Sequence, residues 1–529
     1  MTTAFYLISV LLAGLFCFFS SLNYAHMFQL EGYKPKGYLK WLMQYGFDTV
    51  LAAIGMAMLF VLSYLFQATL GEIAGIIVGF ALLTAFAALG ILSIRKFRVK
   101  DAKKPLVYTS RIKRLLICEG ILIAALCCAG YFSGGAITGI LVALAPLYVL
   151  LANAVNAPIE ALIRRHYLRD AQKKLEAYPD LIKIGITGSY GKTSTKFILA
   201  AILSEKYSVC VPPSSYNTPM GLTRVIREGL KKEHQVLLAE MGAKHKGDIE
   251  ELVELVHPRY GIITSVGPQH LETFGDIQTV AATKYELISG LPKDGIAFFP
   301  DDAGICKQLY DKTTMEKRLF ALEDEGECDL FASDISCGTE GSSFIVRFRD
   351  GTSLSATTKL LGKHNILNIL GCVAIARELG LSSEQIQVGI SKIEPVEHRL
   401  QLLPTANGVT VIDDAFNANP AGTRVAMEVL GNFPGRRFVV TPGMVELGEA
   451  EAEENKAFGK NMAGVADFVF LIGPRHTRPI YDGLLEAGFD SGHIFVKNSL
   501  AEASQEMGKM LMVGDVVLFE NDLPDNYNE

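Results

Sequence analysis

The segment Thr187-Gly188-Ser189-Tyr190-Gly191-Lys192-Thr193-Ser194 sets two glycines beside a lysine and neighbouring hydroxyls, where the β-rich run LIKIGIT gives way to the helical run KFILAAILSEK. A turn of this kind points backbone N–H groups at a phosphate, and the positive end of the following helix favours the anion. Lys192 then reaches the β- and γ-phosphates of a nucleotide and the Thr193 hydroxyl holds Mg²⁺, with Gly188, Ser189, Gly191 and Ser194 completing the cradle. The strict phosphate-loop spacing is not met, because Ile186 stands at its first glycine position. The strand-to-helix context carries the reading of an ATP site.

Other residues of chemical type follow. Glu240 ends the apolar run QVLLAEMG, His270 lies in a predicted loop, and Lys284 and Glu286 lie on a predicted helix. Asn365 and Asn368, then Arg399 and Asp413, come later. Taken singly, each has an ordinary explanation. Glu240 suits a strand-end cap or ion pair, His270 a structural role, Lys284 and Glu286 a solvated helix face. Asn365 and Asn368 suit a helix N-terminal cap, and Arg399 and Asp413 a surface ion pair. A carboxylate is a normal hard ligand for Mg²⁺, whereas histidine is a less usual one.

The order of these blocks resembles the Mur ligases of peptidoglycan synthesis, whose phosphate loop has the TG[ST]xGKT[ST] form. Ser215-Tyr216-Asn217-Thr218-Pro219-Met220-Gly221 looks like the family's Asn-rich substrate loop. Ala239-Glu240-Met241-Gly242, Ser265 through Glu272, and Thr283-Lys284-Tyr285-Glu286 look like its central blocks. Gly362-Lys363-His364-Asn365 with Asn368, then Arg399, then Asp413-Asp414-Ala415-Phe416-Asn417-Ala418-Asn419-Pro420, complete the set. The last block and Met444-Val445-Glu446-Leu447-Gly448 are worded most like the D-alanyl-D-alanine-adding branch. The resemblance implies an ATP-dependent ligase that turns a carboxylate into an acyl phosphate, which an amine then attacks. It implies catalytic roles for Lys192, Lys284 and His270, and metal binding by Thr193, Glu240 and His270. It also implies a carbamylated Lys284, and substrate contacts from Ser215, Asn217 and Thr218. Asn365 and Asn368 would touch adenine, and Arg399 and Asp413 would reach phosphate and ribose. Phosphoryl transfer is mostly positioning and charge neutralisation, so cations around the phosphates matter more than a strong nucleophile.

The elements that must hold these residues begin near Leu181, where short β-rich runs alternate with helical ones, as in parallel α/β folds. The expected fold is an α-helical transmembrane domain, then a phosphate-loop central ATPase domain with a parallel sheet, then a C-terminal Rossmann-like domain. The expected divisions are 1–156 (membrane), 157–177 (amphipathic linker), 178–395 (central) and 396–529 (C-terminal), with a β-rich insertion around 317–360 in the third. No GxGxxG occurs in the last division, so a dinucleotide is not implied.

Of the chain's 529 residues, 50 % are apolar and 20 % charged, which excludes a disordered or fibrous protein. A net charge of −6 provides no basic field for nucleic acid. Nine cysteines, without a CxxC pair, indicate neither a disulfide framework nor a zinc site. Apolar runs at about 4–22, 47–66, 73–94, 115–133 and 135–154 each approach the roughly 20 residues of a membrane helix. Segment 95–114 carries nine basic residues and segment 23–46 carries Lys34, Lys36 and Lys40. By the positive-inside rule, about five helices cross, four or six if the first or last run is re-entrant, with the N-terminus outside and the catalytic domains in the cytoplasm. Lys34, Lys36 and Lys40, beside Tyr33, Tyr38 and Trp41, suit an anionic head group or simple anchoring. The helix-spaced apolar residues of 157–175 suit either lipid contact or a solvated link between domains.

Three departures from the family pattern bear on substrate. Membrane spans stand where the family has a soluble domain gripping a UDP-linked sugar peptide. Asn455 stands where the D-alanyl-D-alanine adder usually has His, and the acidic Phe519-Glu520-Asn521-Asp522 replaces a basic Lys-Gly-Ser-Arg ending. The expected function is therefore an envelope amide ligase at the cell membrane. Its partners are ATP, a lipid- or UDP-linked muramyl peptide carboxylate, and an amino-acid or dipeptide amine. The alternatives are a membrane-bound ligase of the poly-γ-glutamate type and an ATP-driven transport component.

Overall fold

The computed structural model describes residues 2–44, 46–70, 72–97, 105–133, 135–213, 216–269, 271–323, 326–405, 407–415, 418–445 and 447–522. Of the expected site residues, Ser215 and His270 lie outside them. The chain divides into two units, Met1–Arg165 and His166–Glu529.

The first unit is helical: α1 (Thr2–Leu30), α2 (Pro35–Gln44), α3 (Phe47–Thr69), α4 (Glu72–Phe97), α5 (Ser110–Ser133), α6 (Gly135–Ala143) and the first part of α7 (Tyr148–Glu176). Phe5, Phe16, Phe28, Phe60 and Phe86 fill its interior, while Leu11, Ile54, Leu92 and Ile121 face outward. Helices apolar on every side lack the polar face of a surface helix. Among the described residues, four stretches are long and apolar enough to cross a bilayer: Leu7–Leu30, Ile76–Lys96, Ser110–Phe132 and Ala145–Glu176. The bent pair α2 and α3 makes a fifth if it is one span. The expected run at 135–154 is not a single helix. It breaks after Ala143 into a 3₁₀ turn, Ala145–Leu147, where Pro146 lacks the N–H that a continuing helix needs.

Tyr38 is fully buried, and its hydroxyl donates to the Pro146 carbonyl at 2.6 Å. The Arg111 guanidinium lies 3.8 Å over the Tyr33 ring. Tyr33 and Tyr38, two of the three aromatics expected at a lipid interface, therefore pack against the protein, while Lys34, Lys36 and Lys40 are exposed. Segment 157–175 is helical and continues α7 without a break. From His166 onward that helix belongs to the second unit: Ala171 and Leu175 are buried with Leu222, Val225 and Ile226, and Lys174 Nζ donates to the Arg227 and Leu230 carbonyls.

The second unit contains two sheets. The first is built from β1 (Ile182–Thr187), α8 (Lys192–Leu203), β2 (Val209–Cys210), α9 (Pro219–Arg224), β3 (Val236–Glu240), α10 (Asp248–Val256), β4 (Tyr260–Ile263), α11 (Leu271–Phe274), α12 (Ile277–Ser289), β5 (Ile296–Pro300), α13 (Ile305–Lys312) and β6 (Lys317–Ala321). It continues through β7 (Leu330–Gly338), β8 (Gly341–Phe348) and β9 (Ser353–Thr358), then α14 (Lys363–Glu378) and α15 (Ser383–Ser391). The strand order is β2-β3-β1-β4-β5-β6-β7-β8-β9, parallel as far as β7 and antiparallel beyond it. The β-rich stretch at 317–360 thus extends this sheet. β3 and β4 flank β1 on opposite sides, so the loop after β1 lies at a switch point, where α/β sheets open a crevice for ligands. β3 is buried along its whole length, as expected for a strand covered on both faces.

The second sheet comprises β10 (Gln401–Pro404), β11 (Thr410–Asp414), α16 (Pro420–Gly431), β12 (Arg437–Thr441), α17 (Glu451–Ala463), β13 (Phe468–Ile472), α18 (Arg478–Glu486), β14 (Ile494–Lys497), α19 (Leu500–Gly508) and β15 (Val516–Glu520). Its order, β10-β11-β15-β12-β13-β14, inserts the last strand between β11 and β12. The ends of β11, β12 and β15 therefore open together. Glu520 is accordingly not part of a free tail: it ends β15 and is buried.

Candidate active site

The phosphate-loop glycines are required by space and by backbone. Gly188 has φ +152°, and a Cβ there would lie 2.1 Å from Thr264 Oγ1. Gly191 has φ +80°, and a Cβ there would lie 2.9 Å from Asn368 Oδ1. The turn is tied to the loop after β4. Ser189 N–H donates to the Ser265 carbonyl at 2.8 Å, Ser189 Oγ donates to the Gly267 carbonyl at 2.9 Å, and Tyr190 N–H donates to Ser265 Oγ at 2.9 Å. The Ser189 side chain thus holds the loop's shape. Lys192 Nζ donates to the Gly188 and Ser189 carbonyls at 2.6 and 3.0 Å. Burial pushes its pKa down to about 8, with Glu240 opposing and the Arg399 charge adding.

Glu240, at the end of β3, is 1 % exposed and joins three segments. Its Oε1 accepts from the Thr193 hydroxyl at 3.0 Å and from Asn217 Nδ2 at 3.3 Å. Its Oε2 lies 3.1 Å from Lys196 Nζ, in a fully buried ion pair. Thr193 and Glu240 thus set a hydroxyl and a carboxylate side by side at the phosphate loop, a hard oxygen donor set that fits Mg²⁺. Among the described residues no group of three His, Cys, Asp or Glu forms a metal cluster. Thr218 caps α9, its Oγ1 accepting from Gly221 N–H at 3.3 Å. Asn217 is turned toward Glu240 and also fixes Gly242, whose N–H donates to the Asn217 carbonyl at 2.9 Å.

Lys284 is 1 % exposed, which removes the solvated-face explanation. Burial holds its pKa well below the lysine range; the Lys192 charge adds to this, and Asp248 and Glu286 oppose it. Glu286 is engaged too: its carboxylate accepts from Gly247 and Glu250 N–H at 2.8 and 3.1 Å, at the start of α10.

A cavity of about 230 Å³ is lined by the phosphate loop, α14 and the ends of β11 and β15. Ser194, Asn365, Asn368 and Arg399, all named above for the ATP site, line it. The N-cap of α14 is Gly362, and Asn365 Nδ2 donates to the Leu361 carbonyl at 2.9 Å, so neither asparagine is the helix cap. His398 and Leu400 both take left-handed backbone, φ +59° and +44°, on either side of Arg399. Such unfavourable dihedrals persist where a side chain is held for function.

Asp413 does not line this cavity. Its Oδ2 lies 2.7 Å from His398 Nδ1, and its Oδ1 accepts from Ala415 N–H at 3.1 Å. The cavity residue is its neighbour Asp414. Successive side chains of a strand point to opposite faces, and only the one on the cleft side can serve it. Sequence reasoning passed over Lys196, and it quoted His364, Asn419 and Glu520 only within longer blocks, without giving them a place in the site. Lys196 follows Lys192 by one helical turn, a signal that was available. His364 is half-buried, its Nδ1 is enclosed with no partner among the described residues, and desolvation lowers its pKa to about 4. Glu520 stood out in sequence only as part of an acidic ending, with no sign that it would line the cavity.

Residues 186–376 match the Mur ligase middle domain, and residues 398–520 match the Mur ligase, glutamate ligase domain. The UDP-N-acetylmuramoyl-tripeptide–D-alanyl-D-alanine ligase of Treponema pallidum is 30 % identical over 343 residues, 64 % of this chain and 72 % of that protein. The chain belongs to the Mur ligase family. As a Mur ligase it is an ATP-dependent acid–amino-acid ligase. Among solved structures, MurF from Acinetobacter baumannii superposes with a TM-score of 0.62 at 26 % identity, covering 69 % of this Mur ligase and 78 % of that chain. MurF from Thermotoga maritima in complex with ADP has a TM-score of 0.60 at 26 % identity, covering 68 % and 80 %.

Asn455, the departure from the D-alanyl-D-alanine adder, keeps a structural task in this Mur ligase. It accepts from Met444 N–H at 2.8 Å and donates to the Met444 and Glu451 carbonyls, fixing the loop after β12. His476 reaches the same Met444 carbonyl at 3.2 Å from the start of α18.

Proposed function

We propose that this Mur ligase forms an amide bond in peptidoglycan precursor synthesis in the manner of MurF, joining a dipeptide such as D-alanyl-D-alanine to a muramyl peptide carboxylate. The carrying observation is the junction at Glu240, which links the phosphate-loop helix through Thr193 and the substrate loop through Asn217. ATP and the acceptor carboxylate thereby meet at one place. Substrate carboxylate oxygen attacks the γ-phosphorus, the bond to the β-phosphate oxygen breaks, and ADP leaves an acyl phosphate. The amine then attacks the acyl carbon, loses a proton and expels phosphate. Lys192 and Arg399 neutralise charge on the phosphates. Thr193 and Glu240, with His270, would hold Mg²⁺, which supplies further neutralisation when bound. Lys284, whose burial favours the neutral amine, suits reaction with CO₂, the nitrogen bonding to carbon and losing a proton, to give a carbamate whose negative charge would help hold a metal ion. The divisions at 178–395 and 396–529 are taken as the two ligase domains.

The helical unit is proposed to mount the enzyme on the inner face of the cell membrane, with the catalytic domains cytoplasmic. The supporting observation is its apolar, outward-facing helices. The test gives the full-length protein ATP, Mg²⁺, D-alanyl-D-alanine or single amino acids, and either a UDP-linked or a lipid-linked muramyl peptide, with product mass as the readout. A product carrying the added amine together with ADP supports the reading. ATP turnover with no amide product on either acceptor would overturn it.

A further inference from the structure

The helix that starts at the expected substrate loop changes its winding before it ends. Thr218 caps it, and Val225 N–H still donates to the Gly221 carbonyl four residues back. Leu230 N–H, however, donates to the Val225 carbonyl at 2.9 Å, five residues back, so Val225–Gly229 is a π-helical turn. Such turns are rare and concentrate at functional sites. Carbonyls at the end of a helix have no partner within it. Two of them here, of Arg227 and Leu230, accept from Lys174 Nζ at 2.9 and 2.7 Å. The ammonium thus caps the turn at the negative end of its dipole. Lys174 comes from the last turns of α7, and the same stretch holds the turn elsewhere. Asp170 pairs with the Arg227 guanidinium, which lies 4.4 Å from the centre of the Tyr167 ring, and Ala171 and Leu175 pack with Val225 and Ile226. Gln172 Nε2 donates to the Glu254 carbonyl at 3.1 Å, fixing this part of α7 to α10. Residues 166–176 therefore grip the far end of the helix whose near end carries Asn217 and Thr218.

We propose that Lys174 is a positioning residue for the carboxylate acceptor: by holding the π-helical turn it sets where Asn217 and Thr218 stand beside Glu240. The proposal rests on the reading of residues 216–221 as the loop that meets the acceptor. Lys174 lines no part of the nucleotide cavity. Its influence runs through a rigid element, since a helix fixed at one end carries that constraint to the other. At the near end, Asn217 Nδ2 reaches Glu240 at 3.3 Å and the Asn217 carbonyl accepts from Gly242 N–H at 2.9 Å. Without Lys174 the two carbonyls turn to water, the turn loosens, and the loop spends less time in the arrangement that binds acceptor. Affinity for the acceptor falls with that fraction. ATP, held by the phosphate loop between β1 and α8, keeps its affinity. Methionine at 174 retains the apolar stem and removes the donors, whereas arginine still offers N–H groups to both carbonyls.

The experiment measures kcat and the KM values for ATP and acceptor with the full chain, in wild type, Lys174→Met, Lys174→Arg and Asn217→Ala. The acceptor is the UDP-linked or the lipid-linked muramyl tripeptide, whichever the wild type converts, with D-alanyl-D-alanine as amine. Lys174→Met should raise the acceptor KM about tenfold while kcat and the ATP KM stay within about twofold, and Lys174→Arg should return the acceptor KM to within about threefold of wild type. Coupling is reciprocal, so acceptor bound to wild type should slow hydrogen exchange about twofold or more at residues 222–230 and 171–176. That measurement decides the matter even if the methionine protein does not fold. An unchanged acceptor KM in folded Lys174→Met, an equal rise in both KM values, no recovery in Lys174→Arg, or no slowing at residues 171–176 would each overturn the proposal. An unchanged acceptor KM in Asn217→Ala, or conversion of neither acceptor by wild type, would instead be a failure of the underlying reading of the loop.

Discussion

Replacing Lys196 with methionine removes a buried ammonium while nearly keeping its volume, and leaves the Glu240 carboxylate 1 % exposed without its cation. Breaking a buried pair from one side costs about 3–5 kcal/mol, because the remaining charge is uncompensated. Glu240 keeps two donors, Thr193 at 3.0 Å and Asn217 at 3.3 Å, so the lower end, about 3 kcal/mol, is expected. At about 1.4 kcal/mol per decade, that is roughly a hundredfold rise in the open population. Hydrogen exchange of the amides of β1 and β3, followed by mass spectrometry on the full chain, reads this opening directly. Lys196→Met should exchange there about a hundredfold faster than wild type. Lys196→Met/Glu240→Gln should recover most of the protection, since a neutral amide satisfied by Thr193 and Asn217 carries no buried charge. Mg²⁺ with ATP should also restore protection in the single variant, by supplying a cation at the carboxylate. Unchanged protection in Lys196→Met, or no recovery in the double variant, refutes the argument that the pair is held by charge compensation.

Lys192→Ala should abolish ATP turnover while the chain fractionates as the wild type does; retained ATPase activity rejects the phosphate-loop assignment. Lys284→Ala should lose ligase activity that bicarbonate does not restore but short-chain carboxylates partly do, and ¹³C-labelled bicarbonate should give a carbamate resonance only in the wild type. Asp414→Asn should weaken ATP binding about fivefold to tenfold, whereas Asp413→Asn, which loses only its contacts to His398 and Ala415, should change it less than twofold. A larger effect at Asp413 would return the ribose contact to the residue first expected.

The phosphate loop was legible because everything that makes it is local. A buried strand, two glycines in left-handed or otherwise strained backbone and a helix start are consecutive in the chain, and their chemistry follows from their order. Glu240 and Lys284 were legible only through resemblance, and their burial could not be read from residue type, since a lone Glu or Lys is usually solvated. The parallel α/β architecture was visible in the alternation of apolar and helical runs. The break before α7 was not anticipated, because hydropathy measures an apolar run without showing where Pro146 interrupts its hydrogen bonds.

Tertiary structure decided which member of the Asp413-Asp414 pair faces the cleft. The twist and pairing of β11 set that choice, and two identical neighbours carry no sign of it. It also decided the company of Glu520, which looked like the start of an acidic tail. The insertion of β15 between β11 and β12 brings that carboxyl beside Asp414 from the far end of the domain. Chain order specifies local turns because dihedral preferences act between neighbouring residues. Sites built by parallel pairing depend on strand order, which is settled only when distant apolar segments bury one another.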